Sequence, residues 1–239
     1  MELDIDFFFE NGYSVINNVV SKNNCMRINS DVKKFAENVY YNRLNLHRYI
    51  KSVAALIRNK NILSIVDTIQ NHRMIPVGST YYFCQPRNKL DKGSVIHQDN
   101  ERHKATYGSL LVCKVALDDS DESNGSLRVF PTTHKLGDIK AKPSPNFVYD
   151  KDQNIVDTYP VGAEVEVPNG YQEKVLNYRK GDLILLHGHI IHYAKKNMST
   201  RRWRRGIYLH YIKDGEPFWP GWTARRMLFE RDEAQLSEN

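Results

Sequence analysis

The sequence predicts a mainly β (α+β) fold, a sandwich or barrel of strands with helices packed on one side. Three observations support this prediction. The first third of the chain carries apolar residues at helical spacing, and the remainder carries short strand-like runs. Turn-forming pairs separate these runs, as at Asn124-Gly125, Asn169-Gly170 and Lys180-Gly181. A length of 239 residues is compatible with one barrel domain.

The N-terminal third is predicted to contain one strand and three helices. Residues 12–20 alternate toward β-branched types and favour a short strand. Ser21 is a candidate N-cap for a helix that runs to about residue 39, with apolar residues every three or four positions. Further helices are predicted over about 50–58 and 61–70.

Seven strands are predicted after the helices, each a short apolar run bounded by turn residues. They cover residues 78–85, 110–117, 126–130, 161–167, 173–177, 182–187 and 205–212. Residues 140–159 are polar and contain prolines, so we expect a long loop over the barrel mouth there.

We expect one domain over residues 1–239, because no repeat, low-complexity tract or linker divides the chain. A helical part covers about 21–70, the barrel core about 76–213 and a tail 214–239. The composition, 41% hydrophobic and 26% charged, is typical of globular proteins. No apolar run approaches the roughly 18 residues of a membrane span. The opening residues lack the basic region of a secretory signal, so we expect a cytoplasmic protein.

The chain is basic, with a net charge of +6 and a pI near 9.1. Its basic clusters lie at 195–196, at 201–205 around Trp203, and at 225–226. This balance favours a small anionic substrate, nucleic acid or an anionic surface, although a solvated basic face explains it equally well. We find no nucleic-acid-binding motif, so nucleic acid is not the partner we expect. Three cysteines with no C-x-x-C pair indicate a reducing compartment without structural disulfides.

The most informative motif is His97-Gln98-Asp99. On a strand, side chains at i and i+2 point to the same face, so His97 and Asp99 can bind one metal ion. A third ligand is available from His187, His189 or His192, and Gly188 suggests that the strand ends or bends near this group. Two imidazoles and a carboxylate are the ligand set of mononuclear iron(II) sites that use oxygen.

The chain resembles the phytanoyl-CoA dioxygenase (PhyH) family in four ordered segments, from about residue 6 to residue 212. These are FFFENGYSVINNVVSKNNC, the HQD motif, ALDDSDESNGSLRVFPTTHKLG, and GDLILLHGHIIHYAKKN followed by RRGIYLHYI. The resemblance implies a double-stranded β-helix, or cupin-like jelly roll. It also implies Fe(II), the cosubstrate 2-oxoglutarate and O2, with His97, Asp99 and His192 as catalytic metal ligands.

The resemblance also implies an arginine that binds the far carboxylate of 2-oxoglutarate. Aligning the following strand selects Arg204, although the family's usual spacing would fall on Trp203, and Arg202 and Arg205 remain alternatives. Arg204 and Arg205 must face opposite ways on a strand. Tyr81 is predicted to add a hydroxyl to the cosubstrate site.

Two further features allow more than one interpretation. Arg128 could contact an anionic substrate or form an ion pair with a nearby acid, namely Asp118, Asp119, Asp121 or Glu122. The aromatic tail around Trp219 and Trp222 could cap the active site or mediate dimer contacts, although simple packing on the barrel is the expected role.

We therefore expect a dioxygenase that hydroxylates an unactivated C–H bond of a small anionic metabolite, with succinate and CO2 as coproducts. Asp99 favours hydroxylation over halogenation, because related halogenases lack this carboxylate. One alternative is a nucleic-acid or protein hydroxylase or demethylase of the same chemistry. Another is a non-catalytic jelly-roll module that binds metal or ligand. The substrate's identity and the oligomeric state are not evident from the sequence.

Overall fold

A computed structural model of the protein describes residues 3–35, 43–86, 93–149, 155–222 and 224–231. Four helices precede and flank the barrel: α1 (Ile5–Asn11), α2 (Lys22–Phe35), α3 (Lys51–Ile57) and α4 (Lys60–Gln70). None of the helices in these ranges is long and apolar enough to cross a bilayer.

Helices α1 and α2 begin at residues whose side chains cap the first turn. The Asp4 carboxylate accepts a hydrogen bond from Phe7 N at 2.8 Å, which caps α1. Ser21 Oγ accepts from Asn24 N at 3.2 Å, as predicted for the start of α2. The predicted extension of α2 to residue 39 lies partly outside the described residues. Helix α1 itself was not predicted.

Eleven strands form among the described residues. They are β1 (Tyr13–Ile16), β2 (Arg43–Leu44), β3 (Met74–Cys84), β4 (Leu110–Ala116), β5 (Leu127–Val129), β6 (Lys142–Tyr149), β7 (Ile155–Glu164), β8 (Lys174–Val175), β9 (Leu183–His187), β10 (His192–Ala194) and β11 (Arg204–Lys213).

The strands form two main antiparallel sheets. The larger has the order β1-β9-β4-β11-β3-β2, and the smaller has the order β10-β5-β8. A bridge between His97 and His192 extends the smaller sheet by one position. Apolar side chains of both sheets, including Val112 and Val129, pack in one buried cluster between them. Two sheets facing each other in this way confirm the predicted double-stranded β-helix with helices on one side.

The two faces of the larger sheet are buried against different partners. On β11, Ile207, Leu209 and Tyr211 point outward into the cluster that holds the helices. Tyr208 and Ile212 point inward. Alternation along a strand thus decides which side chains of β11 enter the barrel.

The prediction of a long loop over 140–159 is wrong. Strands β6 and β7 pair there as a separate two-stranded ribbon, and residues 150–154 between them lie outside the description. Pro143 and Pro145 argued against a strand, but a two-stranded ribbon leaves an unpaired edge on each strand, where a missing N–H is tolerated. The register shift between Ser144 and Asn146 falls beside these prolines.

Candidate metal centre

Three polar side chains come together where His192, at the start of β10 in the smaller sheet, pairs with His97 of the HQD motif. His97 and His192 face each other as an antiparallel pair, with each main-chain N–H donating to the other's carbonyl at 3.0 Å. Asp99 opens a short 3-10 turn, Asp99–Arg102, two residues beyond His97. The turn keeps the carboxylate on the side of the two imidazoles.

The ligand atoms of these residues are close together. His97 Nε2 lies 3.7 Å from Asp99 Oδ1, and His192 Nε2 lies 3.6 Å from Asp99 Oδ2. One ligand atom from each of the three residues lies within 4.8 Å of the other two. In the described ranges, no other group of three such side chains meets this criterion.

Main-chain carbonyls orient both imidazoles. His97 Nδ1 lies 2.7 Å from the carbonyl of Val95, and His192 Nδ1 lies 3.1 Å from the carbonyl of Ile190. A neutral imidazole that donates from Nδ1 keeps the lone pair of Nε2 for a metal ion. Both Nε2 atoms lie on the side of the carboxylate, where they can coordinate a metal ion.

The ionisation states suit a divalent cation. Burial, with a contribution from His192, lowers the pKa of His97 to about 3, so its imidazole is neutral at pH 7. Burial opposes ionisation of Asp99, but the surrounding histidines and Arg102 outweigh it and hold its pKa below the ordinary value. Asp99 Oδ2 is buried and accepts no hydrogen bond from the described residues. A bound metal ion would satisfy this oxygen, so the three residues fit a metal centre.

The two rival histidines do not join this group. His187 ends β9 and its ring faces His134 at 5.0 Å between centroids. His189 Nε2 lies 3.1 Å from Asp138 Oδ1 and 3.0 Å from Asn100 Nδ2. Of the three candidates for the third position, the structure thus brings only His192 to the pair of His97 and Asp99.

The three candidate arginines point to different places. Arg204 is buried at the start of β11, where it donates to the carbonyls of Asn124 and Lys195. Arg202 forms an ion pair with Asp121 at 2.6 Å. Arg205 faces the helix side and donates to both oxygens of Asp118, at 2.7 and 2.8 Å.

A buried lysine inside the barrel was not predicted. Lys114 on β4 is 2% exposed and its ammonium donates to the hydroxyl of Tyr178. Its side chain passes over Gly206, where a Cβ would lie 3.0 Å from Lys114 Cε. Arg204 lies near enough to disfavour the charge on Lys114, whose pKa is lowered chiefly by burial. The signal in the sequence was a charged residue within the apolar strand LLVCKVA.

The prediction for Tyr81 is wrong in its geometry. Tyr81 faces outward into the helix-side cluster, and its hydroxyl donates to Asn29 Oδ1 at 3.3 Å. Its neighbour Tyr82 faces the barrel interior instead and makes an edge contact with Tyr208, with ring centroids 5.0 Å apart. Strand parity separates these two adjacent tyrosines and places Tyr81 on the outer face.

Arg128 and the tail also have defined positions. Arg128 forms ion pairs with Glu122 at 2.7 Å and Glu173 at 2.5 Å, which corresponds to the ion-pair interpretation. The tail packs on the barrel, where Trp219 N donates to the carbonyl of His103 at 2.5 Å. Trp222 remains 86% exposed and covers no part of the site.

Comparison with known sequences finds one family and several relatives. The profile of the family described as "Phytanoyl-CoA dioxygenase (PhyH)" matches residues 46–206. "Phytanoyl-CoA dioxygenase 1" of Oryza sativa subsp. japonica is 27% identical over 169 residues, or 70% of this chain and 56% of that protein. A "Phytanoyl-CoA dioxygenase domain-containing protein 1 homolog" of Dictyostelium discoideum is 31% identical over 137 residues, 57% and 46% of the two chains. The chain spans about half the length of these relatives.

Solved structures show the same fold at low sequence identity. The epimerase SnoN, solved with Fe3+, alpha ketoglutarate and nogalamycin RO, is 14% identical with a TM-score of 0.72, covering 89% of this chain and 83% of that one. EctD from S. alaskensis, solved with 2-oxoglutarate and 5-hydroxyectoine, is 15% identical with a TM-score of 0.65, covering 87% and 74%. These likenesses establish the double-stranded β-helix architecture.

Proposed function

The chain belongs to the phytanoyl-CoA dioxygenase (PhyH) family, and on that premise we propose that it is an Fe(II)- and 2-oxoglutarate-dependent dioxygenase. The observation that carries the proposal is the convergence of two imidazoles and one carboxylate within 4.8 Å. His97, Asp99 and His192 would hold the iron. When bound, iron(II) with 2-oxoglutarate and O2 supplies the oxidising chemistry that hydroxylates an unactivated C–H bond and releases succinate and CO2.

The residues of the triad prepare the site before any ligand arrives. Val95 and Ile190 fix the imidazole orientations through their carbonyls, so little reorganisation is needed when a cation binds. The triad is nearly buried, with His192 only 2% exposed. Exclusion of bulk water strengthens the attraction between the Asp99 carboxylate and a cation.

Arg204 is our candidate for binding the distal carboxylate of 2-oxoglutarate. It lies on the inner face of β11, whereas Arg202 and Arg205 form ion pairs with Asp121 and Asp118. A guanidinium can hold a carboxylate by two parallel hydrogen bonds. Lys114 places a second basic side chain in the same interior.

The substrate we propose is a small anionic metabolite. The net charge of +6 supports this choice, because a basic protein attracts anions over distances of several ångströms. SnoN and EctD were solved with small molecules, nogalamycin RO and 5-hydroxyectoine. The presence of Asp99 favours hydroxylation over halogenation.

An anaerobic titration tests the proposed function. Protein mixed with Fe(II) and 2-oxoglutarate should show a weak visible charge-transfer band, which disappears on exposure to O2 as succinate is released. Asp99→Ala should show neither the band nor succinate. If the unmodified protein also lacks both, it is a binding module rather than an enzyme.

A further inference from the structure

Two guanidinium groups stand beside the metal centre without a carboxylate partner. Arg102 ends the 3-10 turn that begins at Asp99, and Arg226 reaches the site from the C-terminal tail. In the described ranges neither lies within 4.0 Å of a carboxylate oxygen. By contrast, Arg128, Arg205 and Arg231, which are similarly shielded from solvent, each pair with at least one acid.

The tail holds Arg226 in a fixed position. Phe229 N donates to the carbonyl of Pro76 at 2.8 Å, and Met227 N donates to the carbonyl of Val77 at 3.3 Å, so the tail lies along the edge of β3. Arg226 Nη1 donates to the carbonyl of Arg102 at 2.8 Å. The two arginines are therefore neighbours through a direct contact.

Arg102 has unused hydrogen-bonding capacity at the same place. Its guanidinium lies near the Tyr82 phenol, and its Nε is buried with no partner among the described residues. A buried donor without an acceptor is uncommon in folded proteins. A bound anion would supply the missing acceptor.

The charges around the pair favour an anion. His103 and His210, whose rings are tilted by 57° with centroids 4.7 Å apart, are buried and hence neutral, with pKa values lowered chiefly by burial. Asp99 is close enough to interact electrostatically with both arginines. Once a cation takes up the charge of Asp99, the two guanidiniums are left uncompensated.

We propose that Arg102 and Arg226 form an anion-binding subsite for a carboxylate or phosphate group of the primary substrate. This inference rests on the proposed function and deepens it, because it assigns the substrate's charge to two residues. Two guanidinium forks match the oxygen geometry of either group. Arg204 donates instead to the carbonyls of Asn124 and Lys195, so the cosubstrate and substrate charges are assigned to separate binding groups.

Binding of simple anions tests the subsite without turnover. Protein loaded with Mn(II) and saturated with 2-oxoglutarate, without O2, is titrated calorimetrically with inorganic phosphate and, separately, with acetate. We expect one of these probes to bind, and Arg102→Gln or Arg226→Gln to weaken that binding at least tenfold. Arg225→Gln is the matched control, because it removes the same charge from an exposed neighbour in the tail and should change the affinity less than twofold.

A second variant tests whether the two arginines bind the anion in the absence of the metal ion. Asp99→Ala protein without metal lacks both the cation and the nearby negative charge, and it should still bind the probe through Arg102 and Arg226. Loss of binding in this variant, despite a retained thermal transition, would overturn the proposal. So would equal binding by Arg226→Gln and the unmodified protein.

The affinity for 2-oxoglutarate distinguishes a failure of the anion-binding subsite from a failure of the proposed function. We expect the dissociation constant of 2-oxoglutarate to stay within twofold in Arg102→Gln and Arg226→Gln. A tenfold rise would show that the pair binds the cosubstrate, which contradicts the subsite. If unmodified protein binds no 2-oxoglutarate, the proposed function fails, while the probe titration of Asp99→Ala still decides the subsite.

Discussion

The imidazoles and the carboxylate of the candidate centre are specialised by their immediate surroundings. Burial keeps His97 neutral, with its pKa lowered to about 3, and the main chain leaves its Nε2 as the free donor. The surrounding histidines and Arg102 outweigh the effect of burial and hold the pKa of Asp99 below its ordinary value. A cation bound between the imidazoles and the carboxylate would give the buried Asp99 Oδ2 the partner that it lacks among the described residues.

Replacing Arg204 by alanine tests the clamp assignment. We expect the half-saturating concentration of 2-oxoglutarate to rise about ten- to a hundredfold, because charge-assisted hydrogen bonds contribute roughly 1.5–3 kcal/mol. Fe(II) binding, followed by the anaerobic spectrum, should change little. The control is Arg205→Ala, which breaks the pair with Asp118 on the outer face. If Arg202→Ala or Arg205→Ala produces the larger rise, the clamp is not Arg204.

The proximity of single side chains could be predicted where their spacing in the sequence determines the geometry. The i, i+2 spacing of His97 and Asp99 is visible in the sequence, and the structure does bring both side chains together. The choice among the later histidines depended on where β9 ends and β10 begins, which Gly188 marks only approximately. Tyr81 was misplaced because the parity of a strand depends on its register, which one residue can reverse.

At the scale of elements, β4 carries one lysine, Lys114, within an otherwise apolar strand. We expect Tyr178→Phe to lower the free energy of unfolding by about 3 kcal/mol, because it leaves the buried Lys114 ammonium without its hydroxyl partner. The double variant Lys114→Met/Tyr178→Phe should regain most of that loss, since an apolar pair needs no partner. Chemical denaturation of the unmodified protein, Lys114→Met, Tyr178→Phe and the double variant measures both effects.

The opposite result in that cycle is informative. If the double variant is less stable than Tyr178→Phe alone, Lys114 contributes to stability through contacts other than the hydroxyl, such as its position over the Tyr208 ring. Lys174→Met, which changes a lysine 5.8 Å from the Tyr13 ring centroid, is a suitable control for the loss of a cation–aromatic contact.

Elements with a long periodic pattern were predictable and short ones were not. Helices α3 and α4 and strand β4 lie within one or two residues of their predicted bounds, because each buries a regular set of apolar residues. Strand β10 has only three residues, and α1 has seven with three consecutive phenylalanines. Neither is long enough to show a period, so both are formed by tertiary packing.

At the scale of the whole molecule, buried neutral histidines make stability sensitive to acid. Burial, with contributions from Arg48 and Arg58, lowers the pKa of His47 to about 4, against about 6.5 in an unfolded chain. As the pH falls below about 6.5, the unfolded state binds a proton first, so the free energy of unfolding decreases until about pH 4. Above pH 6.5 this contribution is fully present.

His47→Gln isolates this contribution. We expect the variant to lose less stability than the unmodified protein between pH 6.5 and pH 4, by on the order of 3 kcal/mol. Denaturation curves at half-unit intervals of pH measure the difference. Parallel losses in both proteins would mean that other groups account for the acid sensitivity, such as His103 and His187, whose pKa values burial lowers to about 3.

The overall architecture could be predicted from the sequence, whereas its peripheral elements could not. Composition and strand spacing indicated a barrel with helices on one side, and the family resemblance specified the double-stranded β-helix. The ribbon of β6 and β7 was missed because its prolines obscured the strand pattern. The position of the tail, which brings Arg226 to Arg102, depends on contacts between distant parts of the chain that no local pattern encodes.

The central claim is that three side chains bind one metal ion, and anomalous X-ray scattering from crystals soaked with Mn(II) tests it most directly. We expect one strong anomalous peak at coordination distance from His97 Nε2, His192 Nε2 and an oxygen of Asp99, and no such peak in Asp99→Ala crystals. A peak instead beside His134, His187 and His189, or none at full Mn(II) loading, would contradict it.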